Sequence, residues 1–199
     1  MSPPFSDATP IPLQPFSLYI ALVQIPIPDK FHWALYITDA HGLATCHQWT
    51  EHVGALAQGK AEGYKIDVLP LVTDMAENYV QNIAFIRLGA YVSPSAPPSQ
   101  SESRPDNVDV DLTGYMTRLF DGIFEGYATI FENRKKGVTC RTWLMRALER
   151  LRTAGHLPGL DKDAVAAYEH EAIEVGKRAE VPVEVEGGHL RIVTAVTFI

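Results

Sequence analysis

Two cysteines and seven histidines carry most of the nucleophilic and acid–base capacity of this chain. One of the cysteines opens the stretch GVTCRTWLMRALERL, Gly137 to Leu151. Counting from Cys140, the positions one, two and three turns on are Leu144, Ala147, Leu148 and Leu151, the apolar stripe of an amphipathic helix. Thr139 has the chemistry of an N-cap and Gly155 that of a C-terminal stop, so Cys140 becomes the first helical residue. A helix N-terminus presents free N–H groups and partial positive charge. Both favour the thiolate, which is the reactive form of cysteine, and the same N–H groups can receive an oxyanion.

A thiol nucleophile needs a base and something to orient it. His32 lies in the strand-like segment FHWALYIT and His47 in LATCHQW, joined by the turn DAHG. If Asp39 closes opposite Gly42, Ala34 faces His47 and His32 faces Trp49. Alternation then places His32, Ala34, Tyr36, Thr45, His47 and Trp49 on one sheet face, with Cys46 pointing to the other. A register one residue different puts Gln48 beside His32 instead. Either His47 or Gln48 could orient the imidazole. Arg141, turned toward the cleft, would favour a carboxylate-bearing substrate. Trp143, Trp49 and Tyr36 are core by spacing, and some of them could wall an apolar substrate slot. The plain alternatives are that Cys140 is a small core residue and His32 a satisfied core histidine.

The elements that must position these residues read as an α+β pattern. Strand-like runs are FSLYIALVQ (Phe16 to Gln24), FHWALYIT, LATCHQW, YKIDVLPLV and NIAFIRLGAY. HVGALAQGKAEG is a loop or a ragged helical turn. The second half turns helical: DVDLTGYMTRLFDGIFEGYATIF is interrupted by glycines, the Cys140 helix follows, and DKDAVAAYEHEAIEVGKRA starts another near Asp161. GGHLRIVTAVTFI closes the chain as a strand. Residues 1–15, rich in proline and serine, are expected to be loose. Residues 16–199 form one globular domain, with a mobile loop at 93–108.

At 199 residues, 46% hydrophobic and 21% charged, the chain can bury a core without staples. A net charge of −7 argues against nucleic acid or anionic lipid as a partner. The basic run Arg134, Lys135 and Lys136, with Arg141 and Arg146, reads first as a solvated face and second as an anion site near Cys140. No apolar run is long enough to span a bilayer, and the N-terminus lacks the regions of a signal peptide. Two cysteines suggest a reducing compartment, with cytosol the expectation; a Cys46–Cys140 bridge is the alternative. His41, Cys46, His47 and His52 match no standard zinc spacing, and DNVDVDL lacks the glycine and glutamate of a calcium loop. No metal and no cofactor is expected.

The pair "HW-x-L-Y" in a strand and a much later cysteine at a helix start resembles the circularly permuted papain-like (NlpC/P60-type) proteins, which include the lecithin–retinol acyltransferase-like and PPPDE groups. The resemblance implies a small antiparallel sheet packed against helices. It also implies Cys140 as nucleophile, His32 as base and His47 or Gln48 as orienter. The acyltransferase-like group follows its cysteine with acidic and histidine residues, as in NCEHF; here Arg141, Thr142 and Trp143 follow. FHWALYI with GVTCRTWLMRAL also looks like a fungal family of unknown function showing HW early and C-R-x-W late, which implies no activity. The function expected is a cysteine-dependent hydrolase, transferase or cyclase. It would act on an ester, thioester or amide of a small molecule or peptide. A non-catalytic domain binding a small ligand or a protein on the same scaffold is the alternative.

Overall fold

The structure is a computed structural model that describes residues 10–25, 27–73, 82–94, 111–157, 161–179, 184–186, 189–191 and 197–198. The first half builds strands β1 (Ser17–Gln24), β2 (Phe31–Thr38) and β3 (Ala44–Thr50), a short helix α1 (Val53–Ala57), and strands β4 (Gly63–Leu69) and β5 (Asn82–Ala90). The second half supplies helices α2 (Leu112–Phe120), α3 (Ile130–Lys135), α4 (Cys140–Thr153) and α5 (Lys162–Ala179), then short strands β6 (Glu184–Glu186), β7 (His189–Arg191) and β8 (Thr197–Phe198). The α+β class read from the sequence is the class observed. The sheet order is β4-β3-β2-β1-β5-β8, antiparallel throughout except for the parallel β5–β8 pair.

Helices cover one face of this sheet. On that side Leu18, Ile20 and Leu22 of β1 and Phe31, Trp33, Leu35 and Ile37 of β2 meet Trp143, Leu144, Ala147, Leu148 and Leu151 of α4. This is the stripe legible in the sequence, and each large apolar side chain removed from water contributes roughly 1.5–3 kcal/mol. The other face carries a smaller cluster of Tyr19, Ala21, Ala34, Tyr36, Ala44, Cys46 and Phe85, joined by Ile11 and Val72. Of the segment expected to be loose, residues 1–9 lie outside the described residues. Ile11 is buried and its N–H donates to the Val72 carbonyl at 2.8 Å. The loop expected at 93–108 falls almost wholly outside the described residues.

The β2–β3 turn corrects the expected register. Asp39 N–H bonds to the Leu43 carbonyl at 3.0 Å, enclosing three residues rather than two. The Asp39 carboxylate accepts from the N–H groups of His41 and Leu43, each at 2.8 Å. Gly42 takes φ +81°, the left-handed residue that a three-residue hairpin loop needs. As a result Ala34 faces Gln48 and Leu35 faces His47. His32, Ala34, Tyr36, Cys46 and Gln48 therefore share the face away from α4. His47 and Trp49 turn toward the helices, and Cys46 points the opposite way from the first expectation.

Candidate active site

The entry to α4 is built to hold Cys140 in place. Helix α3 ends with Gly137 at φ +71°, and the Val138 N–H returns to the Asn133 carbonyl at 2.9 Å, a left-handed C-terminal turn. Thr139 then caps α4: its hydroxyl accepts from the Thr142 N–H at 3.1 Å, and Thr142 Oγ1 accepts from the Thr139 N–H at 3.0 Å. The Trp143 N–H goes to the Thr139 carbonyl. The Arg141 N–H of the first turn interacts with the Cys140 sulfur.

A buried polar knot braces this turn from behind. Arg134 forks onto the Glu62 carboxylate with two bonds of 2.7 Å and gives a third to the Val138 carbonyl at 2.8 Å. Asn133 Nδ2 donates to the same carboxylate at 2.9 Å, and Asn133 Oδ1 accepts from the Tyr127 N–H. Both Glu62 and Asn133 are buried.

Cys140 Sγ reaches the sheet at the start of β2, 4.0 Å from the Phe31 carbonyl and within electrostatic reach of the His32 ring. His32 Nε2 lies 2.7 Å from Gln48 Oε1, and Gln48 Nε2 donates to Asp67 Oδ2 at 3.0 Å. Asp67 is in turn paired with Lys65 Nζ at 3.0 Å. These distances assign the protons. A carboxylate only accepts, so the Gln48 amide nitrogen must face Asp67 and its oxygen must face His32. The oxygen then requires N–H at His32 Nε2. Nδ1 is left unprotonated for the thiol, which is the tautomer a base needs.

The electrostatics favour an ionised pair. Burial pushes the Cys140 thiol up, but the His32 hydrogen bond and charge, with the backbone N–H groups of Trp33 and Arg141, bring it below the ordinary thiol range. Burial likewise disfavours a charged His32. The bond and charge of Cys140, the Gln48 bond and the more distant charge of Glu62 outweigh it and raise His32 above the ordinary imidazole value. Each charged form favours the other, so the two groups titrate as a pair.

Three of the sequence-predicted residues, Cys140, His32 and Gln48, come together. Of the two orienters left open, His47 is the one not brought to the site. It is fully buried on the helix side, its Nδ1 2.7 Å from the Tyr64 hydroxyl and its ring edge-on to Phe120 at 5.2 Å. Trp143 stacks on Tyr64 at 5.3 Å and Trp49 meets Phe124 edge-on at 6.0 Å. With Tyr64 and Phe120 the two indoles border a small cleft of about 200 Å³ on that side. Arg141 is not turned to a cleft: its Nε lies 3.3 Å from Glu169 Oε1 on α5. Tyr36 does border the open-face pocket that His32 and Gln48 line. Cys46 and Cys140 are not bridged to each other. Among the described residues no three His, Cys, Asp or Glu side chains converge as metal ligands, and no helix is long and apolar enough to cross a membrane.

No family model, curated protein or solved structure matches this chain. Its chemistry is read from the geometry alone. Asp67, Lys65, Glu62 and Asn133 were not singled out as site residues by sequence reasoning, and Arg134 was read only in a basic run, as a solvated face or an anion site near Cys140. For the first two a signal existed: in YKIDVL, Lys65 and Asp67 alternate on one strand face, a polar pair on an otherwise apolar sheet.

Two predictions belong to these contacts. Gln48→Ala should slow alkylation of Cys140 about tenfold by freeing the imidazole, an effect of the size that orienting partners have elsewhere. Asp67→Asn should do nearly the same, because an amide at 67 lets the Gln48 amide turn over. In the double variant the two losses should not add, since both act through one ring. Additive losses would show that Asp67 acts by another route.

His47 carries the second. Burial lowers it from 6.5 to about 3, so it is neutral in the fold. In the unfolded chain it takes up a proton as pH drops below its ordinary value. Its stabilising contribution is therefore complete above 6.5 and is lost as pH falls from there toward about 3. Urea melts across that range should lose stability with a one-proton component approaching about 1.4 kcal/mol per pH unit, absent in His47→Gln.

Proposed function

We propose that this protein is a thiol enzyme of acyl transfer with a permuted papain-like arrangement of Cys140, His32 and Gln48. The observation that carries the reading is the single line of contacts from the Cys140 thiol to His32, Gln48 and Asp67. A core cysteine needs no such relay, whereas a nucleophile needs a base and the base needs a fixed tautomer.

In the proposed reaction the Cys140 thiolate attacks an ester, thioester or amide carbonyl. The C–S bond forms and the carbonyl electron pair moves to oxygen, where the N–H groups of the first turn of α4 oppose the developing charge. Collapse expels the leaving group, which takes the proton from His32 Nδ1. Water, deprotonated by the same nitrogen, then attacks the thioester; the C–S bond breaks and Cys140 departs as thiolate beside the protonated His32, the state that began the cycle. The substrate is a small molecule or peptide, and an amine or alcohol acceptor in place of water makes the reaction a transfer.

The test is p-nitrophenyl acetate with the intact protein, quenched and digested for mass spectrometry. An acetyl group on Cys140, absent from Cys46 and lost in His32→Ala, is the expected result. Two unmodified, ordinary thiols would leave a binding domain as the better description.

A further inference from the structure

The cleft of about 200 Å³ on the helix side of the sheet is walled by five aromatic rings, those of Trp49, Tyr64, Phe120, Phe124 and Trp143. The topology brings them together. Trp49 and Tyr64 are cross-strand partners on β3 and β4, Trp143 lies in the first turns of α4, and Phe120 ends α2 with Phe124 in the connection after it. Phe120 meets Trp143 edge-on at 5.9 Å, as Phe124 meets Trp49. Cys140, His32 and Gln48 do not line this cleft, so what it holds is independent of the acyl-transfer reading.

Walls of this kind are apolar except where a ring carries a donor. The Tyr64 hydroxyl is engaged with His47 Nδ1 at 2.7 Å. The indole N–H groups of Trp49 and Trp143 are buried, and neither has a hydrogen-bond acceptor among the described residues. The two residues are 3% and 0% exposed, so bulk water does not serve in place of one. An indole nitrogen only donates. Burying it without an acceptor costs about 1–3 kcal/mol. Such open donors are few in native proteins, and here two belong to the walls of one cleft.

We propose that this cleft binds a small flat aromatic molecule with a neutral carbonyl group, its ring on the aromatic walls and its oxygen accepting an indole N–H. Three features set this class. The volume falls below the roughly 300 Å³ at which sites for drug-sized molecules begin, so the occupant is a single ring with a short substituent. The open polar groups of the walls are donors, so the ligand must bring the acceptor, and a carbonyl oxygen only accepts. The third feature is charge. Lys60 and Asp121 at the border are opposite in sign, and aromatic walls supply no countercharge, so a net charge on the ligand would lose its hydration with nothing to replace it. A flat ring also suits the walls, because aromatic pairs favour the stacked and edge-on contacts already present there.

The experiment titrates the intact, isotope-labelled protein with three probes and follows proton–nitrogen correlation spectra. The probes are acetophenone, benzoate, and α-methylstyrene, in which a CH₂ group replaces the carbonyl oxygen in the same flat frame. The chain has three tryptophans, so three indole signals report, and Trp33, which does not line the cleft, is the internal reference. Acetophenone should bind about tenfold or more tightly than α-methylstyrene and move a Trp49 or Trp143 indole signal downfield. Burial of apolar surface alone gives the reverse order, since α-methylstyrene is the more apolar of the two. The preference should vanish in Trp49→Phe or in Trp143→Phe, each of which keeps a ring and removes one N–H. α-Methylstyrene binding as tightly as acetophenone overturns the proposal and leaves an apolar cleft. Benzoate binding more tightly than acetophenone overturns the neutral class. Indole signals that no probe moves, or a full preference that survives both variants, overturn the indole contact on which the assignment stands.

Discussion

His32→Ala is expected to make Cys140 a slow thiol. In wild type, iodoacetamide at about pH 6 should label Cys140 well ahead of the buried Cys46, because the thiolate persists below the ordinary thiol range. Removing the imidazole deletes both the hydrogen bond and the charge that oppose desolvation. Only the backbone N–H groups of Trp33 and Arg141 then oppose burial, and the thiol moves upward. The labelling rate near neutrality should fall by about a hundredfold, and turnover by about 10³-fold, within the range for losing a general base. The pH profile distinguishes this from mere distortion. The thiol is depressed and the imidazole raised, so wild-type activity appears as pH rises through the lowered Cys140 value. It disappears as pH rises through the elevated His32 value, a bell. In His32→Ala the labelling profile should become a single limb rising only at alkaline pH. A variant that keeps the acidic limb would show that the α4 N-terminus, not His32, generates the thiolate.

How far the sequence carried can be traced residue by residue. The apolar stripe of α4, the Thr139 cap and the strand FHWALYIT were legible because each depends on local chemistry: helical spacing, a hydroxyl before a helix, an apolar run between turns. The partner of His32 was not, because it depends on one residue of loop length. DAHG admits a two-residue and a three-residue closure, and only the Asp39 carboxylate, by accepting from both His41 and Leu43, selects the longer. That selection flips every side chain of β3 and exchanges His47 for Gln48. His47 was the natural expectation because imidazole is the residue most associated with acid–base work. Once on the helix side it becomes a core group whose Nδ1 pairs with Tyr64, and it loses its charge to burial. Asp67 and Glu62 escaped notice for a different reason. Each acts through a partner distant in the chain: YKIDVL shows a polar Lys65–Asp67 pair, but nothing local marks Asp67 as the anchor of the Gln48 amide or Glu62 as the anchor of Arg134.

The Glu62 knot carries the second large effect. Glu62→Ala should destabilise the fold by about 2–3 kcal/mol and also slow Cys140. The magnitude starts from the roughly 3–5 kcal/mol seen when a buried pair loses one member. It is reduced because the Arg134 side chain is 43% exposed and can turn to water once freed. Asn133 has no such escape: it is fully buried, and without Glu62 its amide N–H₂ has lost the acceptor it uses here. The kinetic consequence follows from Arg134, which reaches Glu62 and the Val138 carbonyl together. Val138 lies two residues before Cys140, between the left-handed Gly137 and the Thr139 cap. Freeing Arg134 therefore loosens the turn that aims the thiol at His32. Denaturant melts measure the first effect and alkylation near neutral pH the second, with about a tenfold loss expected. Arg134→Lys separates the two contributions: lysine keeps a charge for Glu62 but cannot fork onto it and the carbonyl together. It should recover part of the stability and little of the reactivity. Full recovery of alkylation by lysine would mean that charge alone, and not the bracing of Val138, ties this knot to the thiol.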